Sequence, residues 1–259
     1  MEDTTLAGKQ RVIRDAKQSI SRELTGGHWA PRERVALACR ILHAEGHESG
    51  LAGQITCRES ERSFLTQRLG SGLGEARASE LLLIDEGLHV LEGSGLPNPA
   101  NRFHAWLYRA RPDIQCVVHT HPPYSSALSM LGVPLVIAHM DGCALYDSVA
   151  FLPEWPGVPV ADEEGRLIAA ALGDKSAVLL VHHGLVVVGH SVDEACVLAL
   201  QFERAARLQL LASSAGEIRL LDRELGLEAR DWLRTPARMA ATFAYYARSV
   251  LAKDAQCLR

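Results

Sequence analysis

The chain has 259 residues, of which 47% are hydrophobic and 22% charged, an ordinary globular composition that excludes disordered, collagen-like and coiled-coil proteins. Against 31 acidic residues it carries 27 basic ones, for a net charge of −4, so no basic excess exists to neutralise phosphates and nucleic acid is not an expected partner. Apolar runs such as 177–181 and 185–188 are far too short to cross a bilayer, so no membrane association is expected.

The charged N-terminal segment has no apolar signal core. The six cysteines form no C-x-x-C pair, and scattered thiols of this kind suit a reducing compartment. Both features predict a cytoplasmic protein.

In chain order, a polar, weakly amphipathic helix is predicted over 6–24. Pro31 opens a second helix, 31–45, where its missing N–H costs nothing. Gly50-Leu51-Ala52-Gly53 leads into a strand near 54–58, and another strand follows near 63–66. Gly70, Gly72 and Gly74 mark a loop. Its resemblance to a nucleotide-binding loop is discounted, because no strand–glycine–helix unit surrounds it. Residues 81–84 and 88–91 read as a hairpin around Asp85-Glu86-Gly87.

Pro97 and Pro99 make a rigid approach to a helix over 100–111, which Pro112 ends. A strand over 114–119 precedes a helix over 124–131, and 133–160 is strand and loop. Asp162 is expected to cap a helix over 163–172. Residues 177–182 and 185–189 are strands about a turn at Gly184. Ser191 with Glu194 is a capping box that opens a long helix to about 215. The last third is helical, with breaks at Gly226 and Pro236. The chain reads as one α/β domain over 1–259, a mixed sheet covered by helices, with a helical N-terminal extension (about 1–30) and a helical C-terminal tail (about 216–259).

Histidine placement carries the chemistry. His119 and His121 stand two apart at a strand end, where side chains share a face, so both imidazoles can meet one ion. His182-His183-Gly184 closes another apolar strand, and the glycine permits a sharp turn beside a ligand. Three neutral imidazoles with open positions suit a catalytic divalent ion.

Gly50-Leu51-Ala52-Gly53-Gln54, Arg102-Phe103-His104, Arg111-Pro112-Asp113, Val117-Val118-His119-Thr120-His121-Pro122 and His182-His183-Gly184-Leu185 occur in one order. Over about 46–203 this pattern resembles the class II aldolase/adducin family. The resemblance implies a three-layer α/β/α sandwich with a mostly antiparallel central sheet, assembled as a homotetramer with active sites between subunits. It implies a divalent ion on His119, His121 and His183, zinc first, with manganese, iron or cobalt as alternatives.

The departures from the family pattern point to a substrate. Where sugar-phosphate aldolases carry Pro-Ser-Ser-Glu-Trp, this chain has Pro97-Asn98-Pro99-Ala100-Asn101. The acid/base glutamate is therefore Ala100, and the phosphate-holding serines are Asn98 and Pro99. The phosphate-binding threonine–glycine pair is Leu69-Gly70, and the glycine-loop asparagine is Gln54. Phosphate needs several convergent donors, so the substrate expected is a small, non-phosphorylated carboxylate contacting Gln54, Arg68, Gly70, Asn98 and Ala100.

Retro-aldol cleavage needs a base for the hydroxyl and an acid for the enolate. Decarboxylation needs only an electron sink and one proton. Losing the glutamate favours a decarboxylase, as in the dihydroxyphthalate-type branch of aromatic catabolism. The departing carboxylate is expected in the former glutamate and phosphate region. An aldolase of a non-phosphorylated hydroxy-keto acid and a non-catalytic adducin-like module are the alternatives, although adducin heads lack the three histidines. His139 is the first candidate proton donor. Tyr245 and Tyr246, in the tail, either close over a neighbouring site or pack in an interface.

Overall fold

Cys116-Val117-Val118-His119-Thr120 forms a fully buried strand at the middle of the structure. The computed structural model describes residues 6–259. Its sheet contains β1 (Gln54–Ser60), β2 (Ser63–Thr66), β3 (Leu82–Asp85), β4 (Val90–Glu92), β5 (Cys116–Thr120), β6 (Val149–Leu152), β7 (Ala177–Leu180) and β8 (Leu185–Gly189). Their order is β4-β3-β2-β1-β5-β8-β7-β6. Neighbours run antiparallel except β6 and β7, which are parallel.

Among the described residues there are eight α-helices: α1 (Leu6–Glu23), α2 (Pro31–Ala44), α3 (Asn101–Ala110), α4 (Pro123–Met130), α5 (Asp162–Leu172), α6 (Val192–Ser213), α7 (Arg223–Leu233) and α8 (Pro236–Lys253). Side-chain alternation along β5 separates two apolar cores. Val117, with Val178 and Val186, joins Phe103 and Leu107 of α3 and Ile168 of α5. Val118, with Ile55 and Leu185, joins Leu42 of α2, Phe202 of α6 and Phe243 of α8. Each buried side chain of this size contributes about 1.5–3 kcal/mol, which holds a helical layer on either face. The three-layer α/β/α arrangement with a mostly antiparallel sheet is the one the sequence predicts. All six cysteines are buried and unpaired.

Local expectations differ at several places. Asp162 starts α5 rather than capping it, because Ala161 occupies the cap without a side-chain bond; its carboxylate accepts from Trp106 Nε1 at 3.1 Å. Ser191 caps α6 by accepting from the Glu194 N–H. The reciprocal Glu194 bond goes one residue further back, to the His190 N–H. Gly226 does not break the chain but lies buried inside α7. A Cβ there would come within 2.4 Å of the Tyr146 ring, so this glycine serves close packing. Residues 140–145 form a 3-10 helix, Met140–Leu145, ahead of the single strand β6.

Antiparallel pairing of β5 with β8 sets Thr120 opposite Leu185. The end of β5 therefore lies against the β7–β8 turn, where the second histidine pair stands.

Candidate metal centre

The β7–β8 turn gives the site its shape. β7 stops at Leu180, so His182 is not a strand residue. Leu180 N–H donates to the Gly184 carbonyl at 2.9 Å, and His183 N–H donates to the Leu180 carbonyl at 3.2 Å. His182 takes the left-handed conformation at φ +55, a strained state for a residue with a Cβ, and its side chain is exposed. His183 is thereby turned toward β5. Gly184 must be glycine, because a Cβ would lie 2.6 Å from the Thr120 carbonyl oxygen.

His119, His121 and His183 meet as expected. Their ring centroids are 4.7, 4.7 and 4.8 Å apart, and one ligand nitrogen from each lies within 4.8 Å of the others. His119 is 2% exposed, whereas His121 and His183 are half-buried, so the cluster is open on one side. His119 Nδ1 lies 2.9 Å from the Leu185 carbonyl oxygen. A carbonyl only accepts, so Nδ1 carries the proton and Nε2 presents its lone pair. That Nε2 is 2.9 Å from His121 Nε2.

Burial and the neighbouring rings push His119 well below the ordinary histidine range. Burial also lowers His121 and takes His183 down to about 4. All three are neutral imidazoles at pH 7, the form that binds divalent ions. The donor set, the open side and the fixed His119 tautomer fit a metal.

Of the predicted substrate residues, strand register sets Gln54 beside the triad. Gln54 is His119's register partner across β1 and β5, hence on the same sheet face. Asn98 Nδ2 donates to Gln54 Oε1 over a long 3.4 Å, while its Oδ1 accepts from the Ala100 N–H at 3.0 Å. Ala100 is half-buried at the start of α3 and offers only a methyl group. Arg68 lies beside Pro97 in an isolated bridge, with its guanidinium on Glu80 at 3.3 Å. Gly70 turns the same loop at φ +89.

His139 is elsewhere. It begins the 3-10 helix Met140–Leu145, its Nδ1 accepting from the Asp141 N–H, and it borders an apolar cavity of about 330 Å³ with Ile137, Ala205 and Leu208. Among the described residues no hydrogen bond or ring contact joins it to the triad. Tyr246 packs against the core near α2, and Tyr245, 58% exposed, stacks edge-on with it.

The site also contains polar residues not expected from the sequence. His47 is fully buried, with Nδ1 2.9 Å from Thr120 Oγ1, so it braces the residue between two triad members. On the opposite face, Asn101, His104 and Tyr108 of α3 reach Thr66 and Thr56 of the sheet. Their spacing of three and four residues is a helical stripe that periodicity alone would have revealed.

Residues 33–210 match the Class II Aldolase and Adducin N-terminal domain. The chain belongs to this family. It is 35% identical over 213 residues to the 3,4-dihydroxyphthalate decarboxylase of Arthrobacter keyseri, covering 74% of this chain and 84% of that protein. It is 32% identical over 218 residues to mouse alpha-adducin, covering 81% of this chain but 29% of the adducin. Among solved structures, the L-fuculose 1-phosphate aldolase of Glaciozyma antarctica superposes with a TM-score of 0.83 at 26% identity, covering 93% of this chain and 98% of that one.

Within this class II aldolase family chain, α1, α7 and α8 all lie outside the matched span. No described helix is long and apolar enough to cross a membrane.

Proposed function

We propose that the chain is a metal-dependent carbon–carbon lyase, most specifically a decarboxylase of a non-phosphorylated, hydroxylated aromatic carboxylate of the dihydroxyphthalate kind or of its ring-cleavage product. One pairing of observations carries this reading: three neutral histidines converge, and at the position where the family pattern puts its acid/base glutamate the chain has Ala100, which has no proton-transferring group. A divalent ion on His119, His121 and His183, zinc first, would supply Lewis acidity to draw electrons from the bond that breaks.

The chain's own residues have the remaining work. The leaving carboxylate is already deprotonated, so no base is required at Ala100. Gln54 and Asn98 line the α3 side of the site, where their amides bind and orient oxygens of the substrate. Pro99 and Leu69 supply none of the side-chain donors that a phosphate would need. Arg68 and Gly70 edge the loop beside Pro97, and Arg68 would turn from Glu80 to meet a carboxylate.

His139 is the proton donor in this reading. Its place outside the triad of its own chain suits a homotetramer in which it serves a neighbouring subunit's site, with Tyr245 and Tyr246 in the same assembly. The setting is aromatic catabolism in the cytoplasm.

The test is incubation of the zinc-loaded protein with 3,4-dihydroxyphthalate, following carbon dioxide and the dihydroxybenzoate product. An aldehyde and a ketone released from a hydroxy-keto acid, with no carbon dioxide from the phthalate, would favour an aldolase instead. The adducin relatives favour a non-catalytic module. Less than about 0.2 equivalents of transition metal in gently purified protein would support that reading.

A further inference from the structure

A chain of hydrogen bonds behind the triad fixes the state of one buried histidine. Tyr108 Oη donates its only proton to the Thr56 carbonyl at 2.9 Å. The 3.0 Å contact between Thr56 Oγ1 and Tyr108 Oη must then use the threonine proton. Thr56 Oγ1 has no second proton to give, so at the 2.8 Å contact with His104 Nδ1 it accepts. Nδ1 is the protonated nitrogen, and His104 Nε2, on the ring edge away from Thr56, presents a bare lone pair. His104 is 0% exposed, and burial lowers its pKa to about 3, so the ring stays neutral.

His104 Nε2 has no hydrogen-bond partner, and neither do Asn101 Oδ1 and Gln54 Nε2; all three atoms are buried. Buried polar atoms are rarely left unsatisfied. The three belong to one neighbourhood. Asn101 and His104 are one turn apart on α3 and bond to Thr66 and Thr56, which face each other across β1 and β2. Gln54 is two residues from Thr56 on the same face and pairs in register with His119. Ala100 stands one helical turn before His104 on that side of α3 and carries only a methyl group.

We propose that His104 Nε2 accepts a hydroxyl proton of the substrate, with the Gln54 amide donating to the same oxygen and Asn101 Oδ1 taking a second O–H. Two acceptors and one donor match a hydroxyl and disfavour a carboxylate, which has no proton to offer. The inference rests on the decarboxylase reading for its aromatic substrate. It moves the carboxylate away from α3, contrary to the expectation that it would fill the former glutamate position. His104 is a substrate-positioning residue in this scheme. No covalent step is assigned to it.

The test compares binding of catechol and 2-methoxyphenol to the zinc-loaded protein by calorimetry. Wild type should prefer catechol, and His104→Phe should reduce that preference roughly tenfold, the order expected for one lost hydrogen bond in a buried site. His104→Gln, which keeps an acceptor near the Nε2 position, should retain most of it. An unchanged preference in folded His104→Phe would overturn the proposal. Nitrogen-15 NMR of the wild type gives a reading independent of any variant's folding. His104 should be the Nδ1–H tautomer, and its Nε2 resonance should shift with catechol but not with benzoate. An Nε2–H tautomer, or no catechol-dependent shift, would overturn it equally. Protein that binds catechol through His104 yet releases no carbon dioxide from 3,4-dihydroxyphthalate would refute the decarboxylase reading and leave this site standing.

Discussion

Gly184 lies so close to His121 that a Cβ on the glycine would sit 2.5 Å from His121 Cδ2. The triad thus depends on a residue that is not one of its ligands. Gly184→Ala is expected to push the β7–β8 turn away from the end of β5. Divalent-metal affinity should fall at least tenfold, and stability by about 1–3 kcal/mol, the range for overpacking a tight contact. Competition against a chromophoric chelator and thermal unfolding of the metal-free protein measure the two effects. Unaltered metal affinity would show that the histidines tolerate the separation.

The three ligands should differ in their structural roles. His119 is buried, bonded to the Leu185 carbonyl, and packed edge-on against Phe103 at 5.2 Å. His119→Ala therefore leaves a cavity and an unpaired carbonyl, and should destabilise by about 2–4 kcal/mol. His121 is half-buried at the strand end, and His121→Ala should stay within about 1 kcal/mol of wild type. Both should lose metal binding and activity. Denaturant melts with parallel metal titrations separate the effects, and equal destabilisation by the two would contradict this assignment.

Acid should weaken the metal-free protein through its buried histidines, the triad and also His47 and His104 outside it. Burial lowers both His47 and His104 to about 3, against about 6.5 when unfolded. Between these values the unfolded chain binds more protons than the native one, so stability falls as pH drops below about 6.5. Each residue contributes a slope of about 1.4 kcal/mol per pH unit in that window. Chemical denaturation of apoprotein at pH 7, 6 and 5 checks the slope, and His47→Gln should reduce it by about half of the two-residue contribution. A flat profile would mean that these rings are solvated.

Much of this was legible in the sequence, and the exceptions share a cause. His119 and His121 were readable because strand spacing is local. His183 came from the family pattern, because the turn that aims it depends on a left-handed His182 that no periodicity announces. The Asn101–His104–Tyr108 stripe was visible as spacing. Its partners Thr56 and Thr66 were not, because pairing between α3 and the sheet is a long-range fact. Gly226 read as a break because glycine disfavours helices, whereas its actual role is set by Tyr146, distant in sequence.

Ala100 separates the two enzymatic readings. A carboxylate restored by Ala100→Glu supplies a base that decarboxylation does not need and crowds the α3 side of the site, so it should not raise the decarboxylation rate. Steady-state rates with 3,4-dihydroxyphthalate measure this. A gain in cleavage of a hydroxy-keto acid by the variant would instead mark the chain as an aldolase lacking its acid/base group.

The most direct test of a metal on His119, His121 and His183 is carbon dioxide release from 3,4-dihydroxyphthalate before and after exhaustive chelation. The rate should vanish on chelation, return with one equivalent of zinc per chain, and fail to return in His121→Ala. A chelated protein that turns over at its original rate would contradict the account.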